Sequence, residues 1–117
     1  MGRRRNYSAA MQEPEYLHRV DALFKQVQDL FEPVDPDDAE AYQAGDVLTI
    51  TFSDRSRCVI NTQRSTRQVW MAHGARAWHF QLNPVGDRWE DDKGRGEEFF
   101  STLAAIAHGA AGVELTR

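Results

Sequence analysis

Apolar residues along the chain fall into three regimes of spacing. From Glu13 the spacing is helical. Leu17, Val20, Leu23/Phe24, Val27 and Leu30/Phe31 recur at three- and four-residue steps, the signature of an amphipathic helix of about five turns. Pro14 stands at its start, where a missing N–H costs nothing, and Pro33 and Pro36 end it. The period then switches to two. Leu48, Ile50 and Phe52 alternate with valine and threonine over Val47–Phe52, which predicts a half-buried strand. Arg57–Thr62 repeats the pattern with Cys58 and Ile60 inward, Gln68–Ala72 with Val69 and Met71, and a fourth strand with Trp78, Phe80 and Leu82. Trp89 marks a short further strand, and Ala39–Tyr42 adds an edge strand. Gly94 and Gly96 break the sheet. Glu97 and Glu98 suit a helix first turn through the helix dipole, and Phe99, Leu103, Ile106 and Ala110 form a second helical stripe.

The order helix, antiparallel meander, helix leaves each helix with one apolar face and the sheet with one. The predicted fold is α+β: a two-layer α/β sandwich, with the N- and C-terminal helices on one face of an antiparallel sheet of five to six strands. The other sheet face is left to water. The 117 residues fit one domain. Residues 1–12 show no periodicity and are expected to be a flexible basic tail carrying Arg3, Arg4 and Arg5, with the single domain over 13–117.

Charge changes the picture next. Outside that tail stand 11 basic against 18 acidic side chains, a net of −7. Seven of the acids lie between Asp29 and Asp46 with no lysine or arginine among them. Nucleic-acid affinity rests on phosphate neutralisation, so an acidic body argues against that partner and for cations or a basic protein. No apolar run approaches the ~18 residues of a membrane span. The single cysteine, Cys58, excludes an intramolecular disulfide and fits a reducing, cytoplasmic setting. It falls on an inner strand face, where an inert thiol is expected.

Alternation also identifies the open sheet face: Thr49, Thr51, Val59, Asn61, Gln63, Gln68, Trp70, His79, Gln81, Arg88 and Glu90. A water-exposed Trp70 among amides reads as an interface anchor. Phosphate loops, HExxH and nucleophile elbows are missing from the sequence, and the four histidines follow no metal-ligand spacing. The acids offer hard oxygen donors without the spacing of a cage, so any metal site there is exposed and weak.

Several blocks resemble the frataxin family in its bacterial form: Val47–Phe52; Asn61-x-Gln63 followed by Gln68-Val69-Trp70-Met71; Trp78-His79-Phe80; Trp89; and Gly96-Glu97-Glu98-Phe99-Phe100. The resemblance covers about residues 13–110. It implies an iron-binding regulator or chaperone of iron–sulfur cluster assembly that is not an enzyme. It further implies weak binding of Fe(II) and Fe(III) by Asp21, Asp29, Glu32, Asp35, Asp37, Asp38 and Glu40. The same acidic ridge would dock on a cysteine desulfurase, and Asn61, Gln63, Gln68 and Trp70 would contact the desulfurase–scaffold assembly. The chain departs from the family at Ser65, where proline is frequent, and at Lys25, Gln26 and Gln28, which thin the ridge. A monomer is expected, with iron-driven oligomers as the alternative. Two other functions compete. A ferroxidase oxidising Fe(II) would need a di-iron motif that is missing here. An RNA-binding sheet would need several exposed aromatics where this face offers one tryptophan.

Overall fold

A computed structural model describes residues 11–83, 85 and 87–116. The basic tail expected over 1–12 therefore lies outside the described residues except for Met11 and Gln12. The first helix, α1 (Glu13–Phe31), begins after an extended Gln12 and carries Pro14 in its first turn. Its buried stripe is Tyr16, Val20, Leu23, Phe24, Val27 and Phe31. Leu17 and Leu30, expected in that stripe, are only partly buried at its margins. Tyr16 takes the first position instead.

Six strands follow: β1 (Ala39–Ala44), β2 (Val47–Phe52), β3 (Arg57–Gln63), β4 (Gln68–His73), β5 (Arg76–Asn83) and β6 (Arg88–Asp91). They pair in chain order, every neighbour antiparallel. Each connection is short, as a meander requires. The inward residues are those the alternation predicts: Leu48, Ile50, Phe52, Cys58, Ile60, Val69, Met71, Trp78, Phe80, Leu82 and Trp89 are all buried.

The second helix, α2 (Phe99–Ala111), is capped at both ends. The Glu98 carboxylate accepts the backbone N–H groups of Phe100 and Ser101, both at 3.0 Å. Glu98 is thus the residue before the helix rather than part of its first turn. Glu97 faces away and accepts the Trp78 indole N–H at 3.1 Å. Gly112 ends the helix at φ +66°, a left-handed cap that favours glycine. Both helices cover the inner sheet face, and edge-to-face rings join the layers: Phe80 on Phe99 at 5.5 Å and Phe31 on Phe52 at 6.4 Å.

Candidate functional site

The open face is organised around Trp70 in β4. Register places Asn61 beside Trp70 on one side and His79 on the other. The Trp70 and His79 rings are stacked, with centroids 4.0 Å apart and planes 13° from parallel. The indole N–H donates to the Gln68 side-chain oxygen at 2.9 Å, and the Gln68 amide N–H donates to Asp92 Oδ2 at 2.9 Å. These contacts correct two expectations. Trp70 is half-buried rather than lying in water, because its ring rests on His79. Gln68 is only 7% exposed, because the indole and the loop after β6 flank it. Asn61 and Gln63 are half-buried at the rim.

Tyr16 supports this site from the helix layer. Its hydroxyl donates to the Gln68 carbonyl at 2.5 Å and accepts the Gln63 backbone N–H at 3.1 Å. Gln63 and Gln68 are register partners at the end of the β3–β4 hairpin, so the phenol oxygen bridges the two strands. Burial pushes the phenol above its ordinary value of 10.0, against the opposing pull of the Gln63 N–H. The connection between the strands is a 3₁₀ turn, Arg64–Thr66, closed by Arg67 in the left-handed region at φ +55°. Arg67 holds there through Nε to the Met11 carbonyl at 3.1 Å and a further bond to the Arg64 carbonyl.

Next to this polar centre lies an apolar row absent from the predicted site. Tyr42 is 71% exposed, Val47 38% and Val59 37%. Val47 is the register partner of Asn61, and Thr49 joins Tyr42 to Val59. The signal was available: Tyr42 and Val47 share the outward phase of Glu40 and Thr49.

The seven candidate iron ligands all have exposed positions. Asp21 and Asp29 stand on α1, Glu32 at its end, Asp35, Asp37 and Asp38 in the loop, and Glu40 on β1. Lys25 already pairs with Asp29 at 3.2 Å, and Asp35 Oδ1 accepts the Asp37 N–H at 2.9 Å. Among the described residues no three histidine, cysteine or acidic side chains converge as a metal cage. Carboxylate oxygens are the right donor chemistry for a hard cation, but here they form a ridge rather than a pocket. Cys58, fully buried, has its thiol pushed up to about 12 by burial.

Comparison with known proteins gives consistent likenesses. A family model described as a frataxin-like domain matches residues 9–113. The iron-sulfur cluster assembly protein CyaY of Bordetella avium is 36% identical over 113 residues, spanning 91% of this chain and 97% of that protein. CyaY of Paraburkholderia xenovorans is 33% identical over 102 residues, spanning 87% and 93%. The solved frataxin of Psychromonas ingrahamii superposes with a TM-score of 0.81 at 27% identity, over 90% of this chain and 96% of that one.

Proposed function

The chain belongs to the bacterial frataxin (CyaY) family, and on that footing we propose that it serves iron–sulfur cluster assembly as an iron-responsive docking protein. Cargo iron is taken weakly by Asp21, Asp29, Glu32, Asp35, Asp37, Asp38 and Glu40. The ridge engages a basic surface of a cysteine desulfurase, and Asn61, Gln63 and Trp70, with the buried Gln68 holding the indole, form the surface that meets the desulfurase–scaffold assembly. The observation that carries this reading is the open face itself: an indole held by Gln68 and His79, on a face that also exposes Tyr42, Val47 and Val59. A half-buried aromatic anchor with a polar rim is how docking surfaces are built. Iron neutralises the carboxylates that attract a basic partner, so occupancy and docking are coupled through charge.

The test is a ¹H–¹⁵N titration, first with Fe(II) under argon and then with the desulfurase–scaffold assembly. Paramagnetic broadening confined to residues 21–40, with partner-induced shifts at Asn61, Gln63, Gln68 and Trp70, is the expected result. A Trp70→Arg variant should retain a dispersed spectrum and lose the partner response. Undiminished partner binding by that variant would refute the docking role of this face.

A further inference from the structure

We propose that Asp92, a residue of the loop after β6, is the positioning residue that holds Trp70 in its docking orientation, acting through Gln68. The inference rests on the docking role given to Trp70 above. Its basis is a hydrogen-bond chain with only one possible direction. The indole N–H is a donor only, and the Asp92 carboxylate is an acceptor only. The Gln68 amide lies between them at 2.9 Å from each. Its oxygen must therefore face Trp70 and its nitrogen Asp92. The Gln68 backbone carbonyl is fixed as well, by the Tyr16 hydroxyl.

Asp92 is itself held in place. Its backbone N–H donates to the His79 carbonyl at 2.9 Å, which sets the carboxylate beside the ring that Trp70 stacks on. The preceding residue, Asp91, has a fully buried side chain. It accepts Arg95 Nε at 3.0 Å, Arg95 Nη2 at 2.9 Å and the Lys93 N–H at 3.1 Å, which closes the loop. Asp92 Oδ2 lies 3.8 Å from His79 Nδ1. The carboxylate thus borders both supports of the indole, the amide that takes its N–H and the imidazole under its face. An anchor fixed before contact loses less rotamer freedom on binding.

The polarity of the chain supplies a test that a merely structural role would not pass. Gln68→Glu sets two carboxylates against each other and breaks the chain. Gln68→Glu combined with Asp92→Asn restores it: the new carboxylate accepts both the indole N–H and the asparagine amide. Exchange of the Trp70 indole proton with water is read by NMR on the free protein, and affinity by titration with the desulfurase–scaffold assembly. Asp92→Ala and Gln68→Glu should each speed indole exchange and weaken binding, both about tenfold, the equivalent of one charged hydrogen bond. The paired substitution should return exchange to within about threefold of the parent, less than half of that effect in free energy. Unchanged indole exchange in Asp92→Ala, or no recovery in the pair, would overturn the positioning role. Should Asp92→Ala fail to fold, the single and paired Gln68 variants decide. If Trp70→Ala binds like the parent, the docking reading fails, while the exchange data on the free protein still judge the positioning role.

Discussion

Replacing Tyr16 with phenylalanine removes one oxygen and leaves the ring, so packing is preserved and only the bridge is lost. The ring is fully buried. The hydroxyl serves two backbone groups, the Gln68 carbonyl and the Gln63 N–H. A buried polar group left without its partner costs about 1–3 kcal/mol. Two such groups at one hairpin end, one of them near the rim, put Tyr16→Phe at about 2–4 kcal/mol less stable. With a urea slope of about 2 kcal/mol per molar, typical of a small domain, the midpoint should fall by about 1–2 M at constant slope.

The same hydroxyl predicts a pH signature. Its titration is raised above 10.0 in the folded chain by burial. Between the unfolded and folded values the unfolded chain binds fewer protons, so folding stability falls as pH rises. The contribution is whole below about pH 10, the unfolded value, and is lost as pH climbs through the folded one. Urea melts at successive alkaline pH values should therefore show the gap between parent and Tyr16→Phe narrowing above pH 10. A midpoint shift below about 0.3 M, within the error of such extrapolations, would refute the bridging role. A gap that stayed constant with pH would refute the buried-phenol argument alone.

Three further outcomes are expected. Phe52→Ala should cost about 3–5 kcal/mol, because the ring packs edge-on against both Phe31 and His73 in the core; thermal melting checks this. Asp91 is held below the ordinary carboxylate value of 3.8, chiefly by the Arg95 side chain and against the opposing effect of burial. Its contribution is present above the unfolded value and disappears as pH falls through the folded one, so the stability gap between parent and Asp91→Asn should shrink in acid melts below that value. Cys58, with its thiol at about 12, should resist a thiol-reactive dye in native buffer and react stoichiometrically in denaturant.

The strands were legible because alternation is unambiguous where one face is apolar and the other polar. Leu48, Ile50 and Phe52 leave no second phase that buries as much. Helix α1 was legible in extent but not in its first contact. Tyr16 and Leu17 are adjacent apolar residues, and periodicity cannot choose between neighbours; the choice falls to Tyr16, which also satisfies two backbone groups. For Gln68, alternation gave the right face and the wrong depth. Depth on an open sheet is set by what folds over it, here a loop 24 residues further along the chain that brings Asp92 to the amide. The acidic run misleads in the opposite direction. Seven carboxylates crowded between Asp29 and Asp46 in sequence are distributed over a helix end, a loop, an edge strand and the turn after it, so density along the chain did not become convergence in space.

That distribution bears on how iron and docking would be linked under the proposed function. Glu40 shares the outward phase of β1 with Tyr42, so the acidic ridge turns the sheet edge onto the open face. Trp70 lies three strands further in. At the spacing of neighbouring strands that is about 14 Å, nearly twice the ~8 Å Debye length at physiological ionic strength. A cation on the ridge is therefore screened from the indole, and charge alone does not carry the linkage between them. Helix α1 is joined to the sheet at both ends: Tyr16 bonds its first turn to the β3–β4 hairpin, and Gln28 bonds its last turn to Gln43 on β1 at 2.5 Å. With both ends tied, the helix is a brace behind both surfaces. The remaining route runs through the partner. Under the proposed function, a basic surface attracted by the ridge would bring a second surface against Trp70, and iron that weakened the first contact would lower the occupancy of the second without altering its geometry.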